Sequence, residues 1–456
     1  MEVSRDALKH AIKEHNIIQK IAHQPFSGIV YLVGGAIREM FLKKTPRDYD
    51  LALTNEKDLR GLETLFEKSS FILGKKPIQT HRIMMDDTSF DITIVEGTIE
   101  EDLKRRDFTM NAIAYDIHDD IIVDTAGGIE DIQKMVIRCP AKETIVNDPL
   151  RMLKAVRHFA DLDGFTLNDA LLQSIKELKH LIHEVASERV KYELDQIIIS
   201  RRVADGVAML EDTGLLFEIF PELYALRLMD IEKHFELETL GHTLDGFRFL
   251  HRCNNELHLD EKALRNVGYA FLFHDLGKAN TYSYDEQKKA VHFFYHERFS
   301  QEIASRIMER LRFSTHEIKA VLALIESHMR IFLISDNESR EKAVRRLVYK
   351  MGDLIPSLIL HTMCDMYGSA GGIDNPSMEQ VKKCSEEILQ AYRKSLEEPL
   401  PRLMNGDDLI ALGFVQGPSI GECLNDIREK QIAGEMTDSE QARAYAEAFL
   451  EEIQKQ

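Results

Sequence analysis

The sequence predicts an α/β head joined to a long helical body, and two observations carry that division. Up to about residue 140, short runs rich in β-branched and aromatic residues (IVYLV, DYDLAL, SFDITIV, NAIAYDI and DIIVD) alternate with helical segments. That is the pattern of a small mixed sheet covered by helices. From about residue 145, nearly every segment repeats its apolar residues at helical spacing, DPLRMLKAVRHFADL and SERVKYELDQIIISRRV among them. A chain of 456 residues is longer than one core usually serves, so several domains are expected.

Composition narrows the class further. With 44% hydrophobic and 30% charged residues the chain should fold in water. It holds no uninterrupted apolar run long enough for a bilayer, and MEVSRDALKHAIKEHNIIQK is amphipathic rather than signal-like. A cytoplasmic location and no membrane partner are therefore expected. The five cysteines, Cys139, Cys253, Cys364, Cys384 and Cys423, are scattered and form no CxxC pair, which argues against a disulfide framework or a thiolate zinc site. A net charge of -19 excludes indiscriminate coating of nucleic acid. One defined RNA is still compatible, because phosphate contacts depend on local cations. Such patches are Lys104 to Arg106, Arg189 with Lys191, Arg201-Arg202, and Arg345-Arg346 with Lys350.

In chain order, the first chemistry-bearing stretch is LVGGAIREMFLKKTPRDYDL, residues 32–51. Gly34 and Gly35 allow a close backbone approach to phosphate, and the helix start after them offers free N–H groups. Asp48 and Asp50, two apart on an expected strand, face the same way and can grip the same ions. Asp91 in SFDITIV would complete a two-metal site. In KRRDFTMNAIAYD, the guanidinium groups of Arg105 and Arg106 suit triphosphate oxygens, and Asp107 and Asn111 stand close by. VDTAGGIEDI, with Gly127-Gly128, reads as a hinge into the body. In NDPLRMLKAVRHF, Pro149 suits a first helical turn, so Asp148 and Arg151 at i and i+3 should share a face. A carboxylate and a guanidinium so placed can read the edge of a base, or simply pair with each other.

The body carries an ordered set of ligand-type residues: His242, the adjacent pair His274-Asp275, His296, His328 and Asp365. Neighbouring His and Asp cannot share one helix face, so a distorted or terminal turn is expected there. Imidazole and carboxylate together suit a divalent ion, which would activate water against a phosphoester.

Taken in order, LVGGAIRE, DYDLAL, RRDFTMNAIA, DTAGGIED, NDPLRML and ASERVKYEL resemble the successive signatures of the class II tRNA nucleotidyltransferase and bacterial poly(A) polymerase family. The H, HD, H, H, D series in the body resembles the HD phosphohydrolase superfamily. The resemblance implies a nucleotidyltransferase head over residues 1–140 and a neck and RNA- or nucleobase-binding helical region over 141–230. It also implies an HD domain over 231–395 and a helical tail over 396–456.

On this resemblance Asp48, Asp50 and Asp91 are catalytic, with magnesium on Asp48 and Asp50. Gly34, Gly35, Arg38, Arg105, Arg106, Asp107 and Asn111 hold the nucleotide, and Asp148 and Arg151 choose the base. Ser187, Glu188 and Arg189 brace the neck helix. His242, His274, Asp275, His296, His328 and Asp365 hold a divalent metal (Ni, Mn, Mg or Co), with Lys278 near the phosphate. Two residues depart from the family pattern: Glu39 stands where the first motif usually has Asp, and Asn147 stands where the template motif often has an acid.

The implied substrates are a tRNA 3′ end and CTP, with ATP as the alternative donor. ITIVEGTIEEDLKRRDFT leaves little room for a flexible loop, as in the CC-adding subset, which depends on a separate A-adding enzyme. Complete CCA addition, A addition and poly(A) synthesis remain alternatives. So does an HD phosphohydrolase whose head only binds nucleotide or RNA.

Overall fold

The computed structural model describes residues 5–73, 79–233, 239–336, 340–371 and 376–455. The chain divides into one unit of residues 1–200 with 209–219 and another of 201–208 with 220–456.

The first unit is built on a seven-stranded sheet in the order β3-β4-β5-β2-β1-β6-β7. Its strands are β1 (Val30–Val33), β2 (Asp48–Leu53), β3 (Phe71–Leu73), β4 (Thr80–Met85), β5 (Thr88–Ile94), β6 (Ala114–Asp116) and β7 (Ile121–Val123). Only the β2–β5 pairing is parallel, so the sheet is mixed, as expected. All four residues of β1 are buried, as are Leu51, Ala52 and Leu53 of β2, which makes this pair the centre of the head's core. Strands β3 and β4 were not anticipated: a single Ile83 is their only fully buried apolar residue, too weak a periodic signal. NAIAYDI is also shorter as a strand than expected, because Thr109–Asn111 form a 3-10 turn before β6.

Two helices position the head chemistry. Helix α1 (Gly35–Phe41) buries Ile37 and Phe41 against the sheet. Helix α2 (Ile99–Lys104) opens on a capping box in which Thr98 and Glu101 satisfy each other's backbone N–H. Further along lie α3 (Arg151–Asp161) and α4 (Ser187–Ile199). Gly127-Gly128 is not a hinge. Asp124 accepts hydrogen bonds from the Gly128 and Ile129 N–H groups at 2.7 and 3.0 Å, capping a helix over Gly128–Lys134. A Cβ at Gly128 would lie 2.1 Å from the Thr109 carbonyl oxygen, so glycine is what lets this helix press on the RRDFTMN turn.

The second unit is helical, as expected, except for a hairpin of β8 (Tyr282–Asp285) and β9 (Ala290–Phe293). Its site-bearing helices are α5 (Thr239–Phe247), α6 (Glu261–Phe273), α7 (His296–Arg310), α8 (Thr315–Ser327) and α9 (Ile355–Ser369). No described helix is long and apolar enough to cross a membrane. Helices α5, α6 and α9 meet almost backbone to backbone. A Cβ at Gly368 would stand 2.4 Å from the His242 carbonyl oxygen, and one at Gly246 would stand 2.3 Å from the Phe271 ring. That crossing brings His242, His274 and Asp365 together. Gly368→Ala should therefore destabilise the protein by about 1–3 kcal/mol through overpacking. Urea unfolding checks this, and an unchanged midpoint would mean that the crossing relaxes freely.

Candidate functional sites

In the head, Asp48 and Asp50 project from the same face of β2. The parallel register sets Asp48 opposite Ser89 and Asp50 opposite Asp91. Asp48 is exposed and accepts a 2.5 Å hydrogen bond from the Ser89 hydroxyl. Asp50 is mostly buried. Burial, opposed by Arg106 and reinforced by the Asp91 and Asp107 charges, pushes its carboxyl up to about 6. Gly34 makes that packing possible: its φ is +78°, and a Cβ there would meet Asp50 Oδ2 at 2.4 Å and Arg106 Nη1 at 3.1 Å. Gly34, Asp50 and Arg106 thus share one small volume.

Asp91 is brought beside Asp50, but both its oxygens are taken by the Arg82 fork, Nε to Oδ1 at 2.6 Å and Nη2 to Oδ2 at 2.5 Å. Arg82 and Ser89 were missed in the sequence. Pairing THRIMM against SFDITIV would have found Arg82, which stands opposite Asp91 in the β4–β5 register.

Behind the glycines, Arg38 is buried and donates from Nη1 to Asn111 Oδ1 at 2.5 Å, while Asn111 Nδ2 donates to Asp107 Oδ1 at 3.1 Å. Lys154 Nζ lies 3.9 Å from the other Asp107 oxygen. Burial pulls the Arg38 pKa down against the nearby Glu39 and Asp107 charges, and its Nε–H has no protein acceptor. A buried donor of this kind favours an anion that can accept from it. Of the paired arginines, Arg106 lies by Gly34, whereas the Arg105 side chain is 62% exposed with a distant Asp102 partner at 3.7 Å.

The pair expected to read the base, Asp148 and Arg151, departs from expectation in its geometry. Asp148 is extended (φ -145°, ψ 90°) and stands before α3, so it and Arg151 do not share a regular helix face. Pro149 bends the chain between them. Their side chains still come within 3.9 Å, and Arg189, on α4, reaches both Asp148 oxygens at 3.3 Å. Arg151 donates to the carbonyl oxygens of Arg105 at 2.8 Å and Thr144 at 3.2 Å, and a longer 3.5 Å contact reaches Arg106.

In the second unit, all six expected ligand residues converge. They form two groups, His242 with His274 and Asp365, and Asp275 with His296 and His328, each with ligand atoms within 4.8 Å of one another. His274 is the C-cap that follows α6, and the chain then turns, which is how adjacent His and Asp reach one place.

Three rings are locked the same way. His274, His296 and His328 each donate from Nδ1 to the carbonyl three residues back (Phe271, Phe293 and Ile325) at 2.7, 2.9 and 2.7 Å. A carbonyl can only accept, so every Nε2 is left to face inward. His296 and His328 Nε2 lie 3.0 Å apart. Burial lowers the pKa of both, that of His328 to about 4, so two lone pairs face each other unless a cation stands between them.

Asp275 reaches both groups, its Oδ2 3.1 Å from His242 and its Oδ1 3.4 Å from His296. Burial disfavours its charge, but His274 and Lys278 overcome that and hold it well below the usual carboxylate range. Lys278 Nζ is 2.6 Å from Oδ2. Sequence reading missed His361, which is fully buried, packs edge-on to His274 at 5.2 Å and is kept neutral chiefly by burial. Its i, i+4 spacing to Asp365 was the available signal.

Both donor sets fit divalent ions: carboxylates alone in the head suit magnesium, and mixed imidazole and carboxylate in the second unit suit a transition metal.

Three family models match, described as "Poly A polymerase head domain" over residues 30–138, "Probable RNA and SrmB- binding site of polymerase A" over 164–226, and "HD domain" over 239–363. The chain is 32% identical to a CC-adding tRNA nucleotidyltransferase of Thermus thermophilus, covering 91% of this chain and 92% of that protein. It is 29% identical to an A-adding tRNA nucleotidyltransferase of Deinococcus radiodurans, covering 94% and 97%. Among solved structures, the Bacillus stearothermophilus CCA-adding enzyme in complex with CTP superposes with a TM-score of 0.65 at 22% identity, over 99% of this chain and 100% of that one. At that identity the likeness concerns the fold.

The raised Asp50 carboxyl has a stability consequence. Its pKa in the folded chain, about 6 against 3.8, means that the native state holds the proton more tightly. Stability therefore falls as pH rises from about 3.8 through 6, by on the order of 2–3 kcal/mol. Asp50→Asn removes that burden and should raise the melting temperature of the metal-free protein at pH 8, with little effect at pH 4. Equal melting temperatures for the two proteins at pH 8 would contradict this electrostatic picture.

Proposed function

Because the chain belongs to the tRNA nucleotidyltransferase family, we propose that it adds CMP from CTP to the 3′ end of tRNA without a nucleic-acid template, completing CC and stopping there. The observation that carries the transfer chemistry is the pair of same-face carboxylates, Asp48 and Asp50, the second of them packed against Gly34 and Arg106. Asp48 and Asp50 would hold magnesium, which supplies Lewis-acid activation of the attacking ribose hydroxyl and neutralises the leaving pyrophosphate.

The chain's own residues do the rest. Ser89 orients Asp48. Gly34 and Gly35 leave room for the triphosphate, and Arg106 forks onto it. Arg38, fixed through Asn111 and Asp107, offers its remaining N–H from behind. The ribose hydroxyl attacks the α-phosphorus in line, the bond to pyrophosphate breaks, and the chain grows by one nucleotide. Arg82 competes with metal for Asp91, so Asp91 contributes less than the β2 pair. Asp148 and Arg151 select the base, braced by Arg189.

Restriction to CC is supported by the connection between β5 and the RRD segment. Only Val95 to Gly97 separate the strand from the Thr98 cap, and α2 takes up the chain from Ile99 to Lys104. That leaves no slack for a loop that would remodel the site after two cytidines. A separate A-adding enzyme would then act next in the cytoplasm. The segments 1–140, 141–230, 231–395 and 396–456 are the proposed head, neck region, HD domain and tail.

For the HD cluster we propose hydrolysis of phosphoesters at RNA ends, as phosphatase and 2′,3′-cyclic phosphodiesterase. The inward-facing Nε2 atoms of its locked rings support this. A divalent ion there (Ni, Mn, Mg or Co) would polarise the phosphoester and activate water.

Incubating the protein with tRNA that lacks CCA and each triphosphate in turn should give two CMP additions and no AMP. Asp48→Asn should lower the rate at least about a hundredfold, the scale of lost metal stabilisation. His274→Ala should leave it intact. Absence of CMP incorporation would overturn the transferase reading and favour a head that only binds, while AMP incorporation would overturn the CC restriction alone.

A further inference from the structure

The hairpin leading into His296 carries aromatic rings that the fold does not bury. Alternation along β9 sorts them. Phe293 packs one way, its ring 5.5 Å from Lys278 Nζ and 6.1 Å from the Tyr282 ring. His292 and Phe294 stack on each other on the other side, with centroids 5.0 Å apart and planes within 15°. Phe294 is 65% exposed and Tyr295 75%, the two most exposed large aromatic rings among the described residues. Phe299, one turn along α7, is exposed as well.

Tyr295 also holds a left-handed backbone, φ 61°, which bulky residues rarely adopt. That turn sends Tyr295 outward while the next residue, His296, is buried with its Nε2 on His328. Consecutive Cα atoms are about 3.8 Å apart. The most exposed ring of the unit is therefore tied covalently to a proposed metal ligand.

We propose that Phe294 and Tyr295 form a nucleobase platform, stacking the base of the terminal ribonucleotide whose phosphoester enters the His/Asp cluster. The inference deepens the phosphohydrolase reading and rests on it. A metal cluster alone recognises phosphate and treats nucleotides and simple esters alike. An exposed aromatic face on the residues that lead into a ligand would add preference for a base, and would do so for any base, because every base presents a π-face. That tolerance suits RNA ends of varied sequence.

The chain has no tryptophan, so Tyr295→Trp introduces a single reporter. In the full-length, metal-loaded protein its fluorescence should be quenched by adenosine and cytidine 2′,3′-cyclic phosphates and not by glycerol 2-phosphate at equal concentration. Replacing both rings, Phe294→Ser with Tyr295→Ser, should weaken the cyclic nucleotides by about 5- to 150-fold, the range that base stacking on aromatic rings spans. Binding of glycerol 2-phosphate should shift less than about twofold on that scale, and Tyr295→Phe should retain nucleotide affinity. Equal nucleotide affinity in the wild type and the double-serine protein would overturn the platform, as would quenching by glycerol 2-phosphate. If the nucleotides quench and need the rings but no ester is hydrolysed, the platform stands and the hydrolase reading falls.

Discussion

Two carboxylates forced side by side set the terms for the whole head. The parallel pairing of β2 with β5 places Asp50 directly opposite Asp91, one strand spacing away and partly out of water. Like charges so placed cannot both ionise without help. The fold supplies that help from two sides, with Arg82 forked onto Asp91 from β4 and Arg106 beside Asp50. Burial first, and the Asp91 charge after it, still holds the Asp50 carboxyl up at about 6 against the pull of Arg106, and a cation beside it would favour its charged form. The glycine at 34, the extra hairpin strand that bears Arg82 and the capped helix that delivers Arg106 all result from having to pack around this pair.

The second unit solves a related problem with imidazole instead of carboxylate. Three Nδ1 atoms are spent on backbone carbonyls, which leaves the Nε2 atoms of His274, His296 and His328 facing inward. The electron-rich centre is held by a glycine-lined crossing, where Gly246 and Gly368 let α5, α6 and α9 approach. Asp275 ties the two ligand groups into one, and Lys278 balances part of its charge. Both units thus concentrate negative potential where a divalent ion would neutralise it, and backbone proximity at glycine is the means in each.

The kind of signal each residue carries decides whether its role was legible in the sequence. Asp48, Asp50 and the six histidine and aspartate residues of the second unit are local: spacing of two on a strand or an HD pair after an apolar run is visible in the letters. Arg82 and Ser89 owe their place to register across strands, which no local pattern reports, and β4 itself has too few buried apolar residues to announce a strand. Gly127-Gly128 misled for a similar reason. A glycine pair between acids reads as freedom, yet Gly128 is glycine because the Thr109 carbonyl fills the space a Cβ would need. The Asp148 and Arg151 pair was right in its neighbours and wrong in its geometry, because Pro149 places the helix start after Asp148 rather than at it.

If Arg151 selects the base as proposed, its tether to the backbone links selection to chemistry within the first unit. Its guanidinium holds the carbonyl of Arg105 and reaches that of Arg106, and Arg106 in turn lies over Gly34 and Asp50. A triphosphate that draws the Arg106 side chain toward its oxygens pulls on the same peptide units that fix Arg151. Conversely, a base that wins Arg151 away from those carbonyls loosens the segment that must close on the phosphates. On the proposed roles, nucleobase and triphosphate would be read by one stretch of backbone rather than by two independent pockets. A wrong base carries its penalty into phosphate positioning, where small displacements cost most rate. The capped helix just before this segment limits how far it can yield, which would give the proposed narrow choice of nucleotide a physical basis.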